Sequence, residues 1–298
     1  MINKFSNKNN TWIDLNNPTL NDLSFLKKEI FLDDKVLNLI LKKSVRNVVH
    51  NFENYVYFIF YLPVWDETKQ ESVKEEISVL VSKDIIVTIR NSRNIIPINE
   101  LLEDCKKQET LNEFLGGSIY EAFYYLFGKL FDFCERQLRH IEEKIVKIEK
   151  VIFKNSKKSV LKDLVSVKRD LLDFNRIFLH LTLKFNSFCF FVKNLWPTES
   201  MFYLEEIKSM SDAVLNNIKN SIGLLDYLES ISASLVEEKE LRLNRIFTVI
   251  SFITWPTLLF LSLKEAGVWE HLNSLETVLV AFIPAIIIYI VLKIKKLI

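Results

Sequence analysis

The sequence predicts an α/β domain followed by a long helix hairpin, a stalk helix and two C-terminal membrane-spanning helices. The front of the chain alternates strand-like apolar runs with helical patterns, as a layered α/β fold does. From about Ser118 onward the apolar residues recur at helical spacing. Two stretches near the C-terminus carry no charged residue. These observations divide the chain into an α/β domain at 1–110, a hairpin at 111–197, a stalk at 198–245, a first span at 246–263, a loop at 264–276, and a second span with a basic tail at 277–298.

The composition limits the classes of protein to which the chain can belong. Its 298 residues include 39 basic and 38 acidic side chains, a formal net charge of +1. A nearly neutral chain does not favour a nucleic-acid partner, and none is expected. Charged residues make up 26% of the chain, which excludes a bundle lying wholly inside a membrane. Three scattered cysteines and four scattered histidines indicate neither a disulfide scaffold nor a zinc site.

The first hundred residues predict strands and helices from local patterns. Apolar and β-branched runs predict strands, and the alternation from Ile77 to Ser82 is typical of a strand with one buried face. The polar step at Lys83 and Asp84 predicts a hairpin between the last two strands. The predicted strands are 11–15, 55–62, 77–82 and 84–90, and the predicted helices are 18–29, with Pro18 in its first turn, and 99–108.

The middle of the chain predicts three long helices. Apolar residues from Ile119 to Ile152 line one face of a helix of about 35 residues. A polar turn at 153–158 leads into a second helix at 160–194, which ends at the Trp196-Pro197 step. A third helix begins near Thr198 or Asp212. Because no Gly or Pro separates it from the first apolar span, we expect this stalk helix to run unbroken into the bilayer.

Residues 246–263 and 277–292 form the two uncharged spans. As helices they reach about 27 and 24 Å, against a hydrocarbon core of about 30 Å. Basic residues precede the first span and follow the second, whereas the loop that connects the two spans has one Lys and three Glu, a net charge of −2. This asymmetry predicts an inner (plasma) membrane protein with both termini in the cytoplasm. The alternative, two buried helices of a soluble core, leaves little chain to cover them.

A polar face runs along the first span. Steps of four, three, four and three residues place its members on one side of a helix: Asn244, Thr248, Ser251, Trp255 and Leu258. Lipid disfavours such a face, whereas a partner helix or a water-filled lumen favours it. The alternative is that the Ser and Thr hydroxyls only bond back to the preceding helical turn.

In the order of its segments the chain resembles the CorA family of magnesium transporters. The motifs that carry the resemblance are Trp12-Ile13-Asp14-Leu15 with Pro18-Thr19, the strand from Ile85 to Arg90, Thr248 followed eight residues later by Pro256, and the basic tail Lys293-Ile294-Lys295-Lys296. The resemblance implies a funnel-shaped homopentamer with a central pore lined by the first span. It also implies Mg²⁺, or another divalent cation such as Co²⁺, Zn²⁺ or Ni²⁺, as both the substrate and a regulator.

One departure from that family lies at the outer pore mouth. The family signature is Gly-Met-Asn, but this chain has Glu265-Ala266-Gly267 nine residues beyond Pro256. The sequence predicts that Glu265, together with Glu270, attracts cations there, because rings of acidic side chains are one way to select cations. The alternative is that Glu265 is a solvated loop charge. A ring of Trp255 side chains would act as a hydrophobic gate or as a plug.

Three functional hypotheses follow. The first is a divalent-cation channel or transporter driven by the electrochemical gradient and gated by the cytoplasmic domain. The second is a membrane effector, for example in antiviral defence, gated by a small-molecule messenger. The third is a non-conducting scaffold. The chain has no Gly-rich phosphate-binding loop for ATP. An enzyme is not expected, and no catalytic residue is predicted.

Overall fold

The computed structural model describes residues 2–30, 32–42, 44–66, 68–69, 71–91, 95–154, 158–267, 280, 282–283, 286–287 and 289–290. The chain divides into two compact units, residues 1–228 and 229–298. The first unit holds a mixed α/β layer structure and the helices that pack on it. The second unit, as far as it is described, is helical.

The first unit contains the strands β1 (Ile2–Asn7), β2 (Asn10–Asn16), β3 (Val48–Asn51), β4 (Tyr55–Asp66), β5 (Glu71–Ser82) and β6 (Ile85–Arg90). They form one six-stranded sheet in the order β1-β2-β6-β5-β4-β3. Neighbouring strands are antiparallel except for β2 and β6, which run parallel, with Ile13 opposite Val87. Strands β4 and β5 form a long hairpin in which Tyr57 lies opposite Leu80.

Helices cover both faces of this sheet. Alternate residues of β4, such as Tyr55 and Tyr57, face one side of the sheet and lie in a core with the helices that follow β2. The residues between them face the other side of the sheet. There Phe58 stacks on Phe188 of a long helix, with ring centroids 4.9 Å apart. The prediction of a half-buried strand at 77–82 was therefore wrong: Ser78 is buried as well, because a sheet between two helical layers has no solvent face.

Four short helices precede the long ones: α1 (Leu20–Ile30), α2 (Asp34–Leu41), α3 (Ile96–Asp104) and α4 (Gln108–Leu115). Helix α1 begins after Pro18 rather than at it. The backbone N–H of Thr19 donates to Asp22 Oδ2 at 2.8 Å, and the N–H of Asp22 donates back to Thr19 Oγ1 at 3.3 Å. This reciprocal cap fixes the start of the helix two residues later than the sequence predicts. The single helix predicted at 99–108 is instead the pair α3 and α4.

Among the described residues the long helices are α5 (Ile119–Lys154), α6 (Lys158–Val192) and α7 (Ser200–Glu265). Helices α5 and α6 are antiparallel, since Phe123 meets Phe188 near one end and Phe131 meets Phe178 further along. The two predicted antiparallel helices are thus confirmed. Residues 153 and 154, which the sequence placed in the turn, belong to α5, and α6 is described from Lys158.

Within the first unit, the beginning of α7 packs beside this hairpin. The hydroxyls of Thr182 and Ser211 are hydrogen bonded at 3.0 Å, and Ser221 Oγ donates to Glu142 Oε1 at 2.9 Å. The step from α6 to α7 is held by Trp196, whose indole N–H donates to the carbonyl of Ser82 at 3.1 Å. The predicted break at Trp196-Pro197 is confirmed, and its aromatic ring ties the helices to the end of β5.

Candidate functional site

The part of α7 that lies in the second unit is apolar and exposed. Among the described residues, α7 is the helix that is long and apolar enough to cross a membrane, and none of its apolar window is buried inside the chain. The large exposed side chains of this stretch are Ile246, Phe247, Ile250, Phe252, Trp255, Leu258, Leu259, Leu261 and Leu263. They lie on most sides of the helix, so water is not a suitable environment for those apolar sides.

A shallow groove, open to the outside, follows a single face of this helix. Its volume is about 540 Å³, and it is lined by Asn244, Phe247, Thr248, Ser251, Phe252 and Trp255. The structure therefore brings together four of the five residues predicted for the polar face. Leu258, the fifth, is exposed one turn further along but does not line the groove.

The hydrogen bonds of the hydroxyl groups test the alternative that the Ser and Thr residues of this face only bond back to the preceding helical turn. Thr248 Oγ1 donates to the carbonyl of Asn244 at 2.7 Å, as back-bonding to the preceding turn requires. Thr254 and Ser262, which lie outside the groove, do the same. The hydroxyl of Ser251 has no hydrogen bond with any other residue that the structure describes. Ser251 and the amide of Asn244 remain open to water or to a neighbouring molecule.

Helix α7 ends at Glu265, whose side chain is exposed. The N–H of Ala266 donates to the carbonyl of Ser262 at 3.1 Å, and that of Gly267 to Lys264 at 3.0 Å. Gly267 has φ 82°, a conformation in which a side chain is unfavourable. The glycine thus closes the helix and leaves Glu265 at its end, about 30 Å along the axis from Asn244.

The second residue predicted at the pore mouth, Glu270, lies outside the described residues, as do the basic tail and most of the second span. In the region the structure describes, no group of three or more His, Cys, Asp or Glu side chains is placed to hold a metal ion.

The fold and this exposed helix define a protein in which an α/β domain precedes a long helix whose apolar stretch is long enough to cross a membrane. The chain matches the family of CorA-like Mg²⁺ transporter proteins over residues 7–260. It belongs to that family, and the resemblance seen in the sequence is confirmed. The match ends just before the position of the missing Gly-Met-Asn signature.

Individual relatives agree with this assignment. The cobalt/magnesium transport protein CorA of Thermotoga maritima is 21% identical over 252 residues, which cover 83% of this chain and 70% of that protein. The complete structure of the CorA magnesium transporter from Methanocaldococcus jannaschii superposes with a TM-score of 0.72 at 15% identity, covering 97% of this chain and 92% of that one. The ZntB cytoplasmic domain from Vibrio parahaemolyticus gives a TM-score of 0.61 at 12% identity, with 78% and 90% covered. At such identities, the structural likeness shows the fold.

Proposed function

We propose that this chain forms a homopentameric channel for divalent cations in the inner membrane, with both termini in the cytoplasm and the α/β domain controlling opening. The observation that carries the proposal is the groove of Asn244, Thr248, Ser251 and Trp255 on an otherwise apolar, exposed helix. The membership of the chain in a transporter family supports it, as does the function named for its relatives in Thermotoga maritima and Methanocaldococcus jannaschii.

Assembly follows from the number of spans. Residues 246–263 supply one membrane helix and 277–292 are proposed as the second. Two helices cannot enclose a water-filled path, so several copies must form a ring with the polar groove turned inward. Lipid and the second span would then cover the remaining apolar sides of α7. In this arrangement 1–110, 111–197 and 198–245 lie in the cytoplasm and 264–276 lies outside.

The driving force needs no nucleotide hydrolysis. A divalent cation carries two charges, and each charge moved across 100 mV is worth about 2.3 kcal/mol. The groove offers amide and hydroxyl groups and no carboxylate, which suits a cation that moves with much of its water shell. Mg²⁺ sheds water reluctantly, so it is the cation that best fits such a path.

At the outer end of α7 we propose that Glu265 collects cations. Five exposed carboxylates in a ring would raise the local cation concentration where the family signature is absent. Glu265 lies about 60° from Asn244 around the helix axis, at 100° per residue, and thus on the same side as the groove. Glu270 is proposed to assist from the loop.

Uptake of Mg²⁺ into proteoliposomes that contain the purified full-length protein tests the proposal, with Co²⁺, Zn²⁺ and Ni²⁺ in parallel. Glu265→Gln should reduce uptake by about tenfold at low ionic strength and less at high ionic strength, because the effect is electrostatic. Glu240→Gln is the control, since that exposed carboxylate lies on the same helix before the span. Absence of flux for all four ions in protein shown to be pentameric would refute the channel.

A further inference from the structure

A second groove, in the first unit, contains cationic side chains that the sequence patterns did not single out. It has a volume of about 410 Å³ and lies between the segment before β3, the β4–β5 hairpin and helix α6. Its lining residues come from three distant parts of the chain: Val45, Arg46, Asn47, Tyr61, Lys74, Arg176, Ile177, His180, Leu183 and Lys184. A volume of this size is within the range of small-molecule sites.

The charge of the groove is strongly positive. Arg46, Lys74, Arg176 and Lys184 all line it, with His180 beside them. Arg176 is paired, since its Nη1 lies 3.5 Å from Asp173 Oδ1. Neither the guanidinium of Arg46 nor the ammonium of Lys184 has a carboxylate within ion-pair distance in the parts of the chain that the structure describes.

The carboxylate of Glu76 is engaged by Tyr61 and by the backbone. Glu76 Oε2 accepts from the Tyr61 hydroxyl at 3.0 Å and from the backbone N–H of Ser44 at 3.1 Å. Lys74 Nζ lies 4.9 Å from the centre of the Tyr61 ring, so its charge is placed over an aromatic face rather than against an acid. Glu76 therefore stabilises the wall of the groove without neutralising its basic side chains.

The side chain of Asn47 is an independent observation that points to a ligand in this groove. Its side chain is 8% exposed, and the amide Nδ2 is buried without a hydrogen-bond acceptor among the described residues. A buried donor left unpaired costs free energy, and such groups are uncommon in folded proteins. An acceptor oxygen on a molecule bound in the groove would satisfy it.

The groove also has an apolar side. Val45 is 84% exposed and Leu183 is 58% exposed, and Ile177 lies with them among the basic residues. These side chains offer contact to a ligand that is not purely ionic. The site thus combines cations, an unpaired amide donor and an apolar wall in one cleft.

We infer that this groove binds a small molecule in which a phosphate group is joined to an apolar moiety. The phosphate oxygens would contact Arg46 and Lys184 and accept from Asn47, because guanidinium and ammonium groups both bind phosphate and the former can do so in a bidentate manner. The apolar part would pack on Val45 and Leu183. Such chemistry is found in soluble nucleotides and in lipid headgroups, and the inference is independent of ion conduction.

Two probes separate these sources. ADP and a short-chain phosphatidic acid below its micellar concentration are each titrated into the full-length protein in neutral detergent, with heat of binding as the readout. The double variant Arg46→Ala/Lys184→Ala should weaken binding at least tenfold. Lys162→Ala is the matched control, since Lys162 is exposed on the same helix α6 outside the groove, and it should bind like wild type.

Binding of ADP alone that is lost in the double variant supports the inference with a soluble ligand. Binding of phosphatidic acid alone with the same loss supports it with a lipid headgroup. Absence of binding for both probes, or equal binding by wild type and by a double variant with unchanged far-ultraviolet circular dichroism, overturns it. Asn47→Ala is a second variant with an expected weaker loss, and it leaves every positive charge in place.

Discussion

The carboxylate of Asp14 and the guanidinium of Arg90 form a buried ion pair across the parallel strands β2 and β6. Arg90 Nη2 lies 3.1 Å from Asp14 Oδ2, and Nε bonds to Oδ1 at 3.2 Å. Both side chains are almost fully buried, at 0% and 3% exposed. Thr88 Oγ1 donates to Asp14 Oδ1 at 2.8 Å, and Trp12 Nε1 donates in turn to Thr88 at 3.2 Å. Two motifs that carry the family resemblance are thus joined by one polar network.

Removal of one partner of this pair should destabilise the α/β domain. Arg90→Met keeps a long side chain but leaves the charge of Asp14 buried without a cation, at a cost of about 3–5 kcal/mol. We expect a clearly lower midpoint of thermal unfolding for the full-length protein in detergent. Lys106→Met is the control, because its partner Glu103 is exposed and such surface changes stay within about 0.5 kcal/mol.

The double variant Asp14→Asn/Arg90→Met distinguishes charge from packing. It removes the uncompensated carboxylate, so part of the lost stability should return. If the double variant were less stable than Arg90→Met alone, the ion pair would not be the source of the effect.

A second buried acid, Asp170 on α6, predicts a dependence of stability on pH. Its side chain is 6% exposed, and burial raises the pKa of the carboxyl above its ordinary value of 3.8. Lys144 Nζ, 3.5 Å away, opposes this shift, whereas Asp173 and Glu71 add to it. The folded state therefore binds the proton more tightly than the unfolded chain does. This contribution to stability is present below pH 3.8 and is lost as pH rises through the folded-state pKa.

Asp170→Asn should consequently raise the thermal unfolding midpoint at pH 7, because the neutral amide avoids burial of a charge. The gain should shrink as the pH falls toward 4 and the wild-type carboxyl takes up its proton. Asp163→Asn, an exposed position on the same helix, is the control and should shift little at any pH. A gain that is constant with pH would show that the effect is not titration of Asp170.

The sequence correctly predicted those strands and turns that depend on only a few neighbouring residues. The hairpin at Lys83 and Asp84 is confirmed, because aromatic and β-branched runs on both sides have few alternatives. Strand β1 was missed, since its alternating polar residues at the sheet edge are typical of exposed loops as well. Helix α2 and strand β3 are short, with 8 and 4 residues, and leave little periodicity to detect.

The two grooves also differ in whether neighbouring residues in the sequence are enough to predict them. The groove from Asn244 to Trp255 lies on one helix, so steps of three and four residues in the sequence are sufficient to predict it. The basic groove could not be found in this way. Arg46, Lys74 and Lys184 belong to the segment before β3, to β5 and to α6. They line one groove only because these elements pack together, and no spacing along the chain records that packing.

Trp255 is the widest side chain in the membrane groove and predicts a constriction. It is 72% exposed, and in a ring of copies facing inward the indoles would exclude water from a short stretch of the path. Trp255→Ala should raise Mg²⁺ uptake into proteoliposomes several-fold. Ile250→Ala is the control, since Ile250 is also exposed but lies about 140° away around the helix. Equal uptake by wild type and Trp255→Ala would exclude a gate at this position.

The native cysteines make it possible to test which side of α7 meets water. Cys105, Cys134 and Cys189 are free and buried. Burial raises the pKa of Cys105 to about 11 and that of Cys189 to about 12, and it raises the pKa of Cys134 as well. Because the thiolate is the reactive form, all three should remain unmodified at pH 7.5 by a charged methanethiosulfonate reagent. The wild-type protein should thus give almost no modification, against which an introduced cysteine can be measured.

On this background Ser251→Cys should react with the same reagent in reconstituted protein, and Ile250→Cys should not. Ser251 lies in the groove, where the proposed lumen supplies the water that a thiolate and a charged reagent both require. A thiol at 250 would face hydrocarbon, in which neither is stable. Mass spectrometry of the intact chain gives the extent of modification, and bound reagent at 251 should also reduce Mg²⁺ uptake. Equal modification at 250 and 251 would mean that α7 does not separate a wet face from a lipid face, and the inward orientation of the groove would then be wrong.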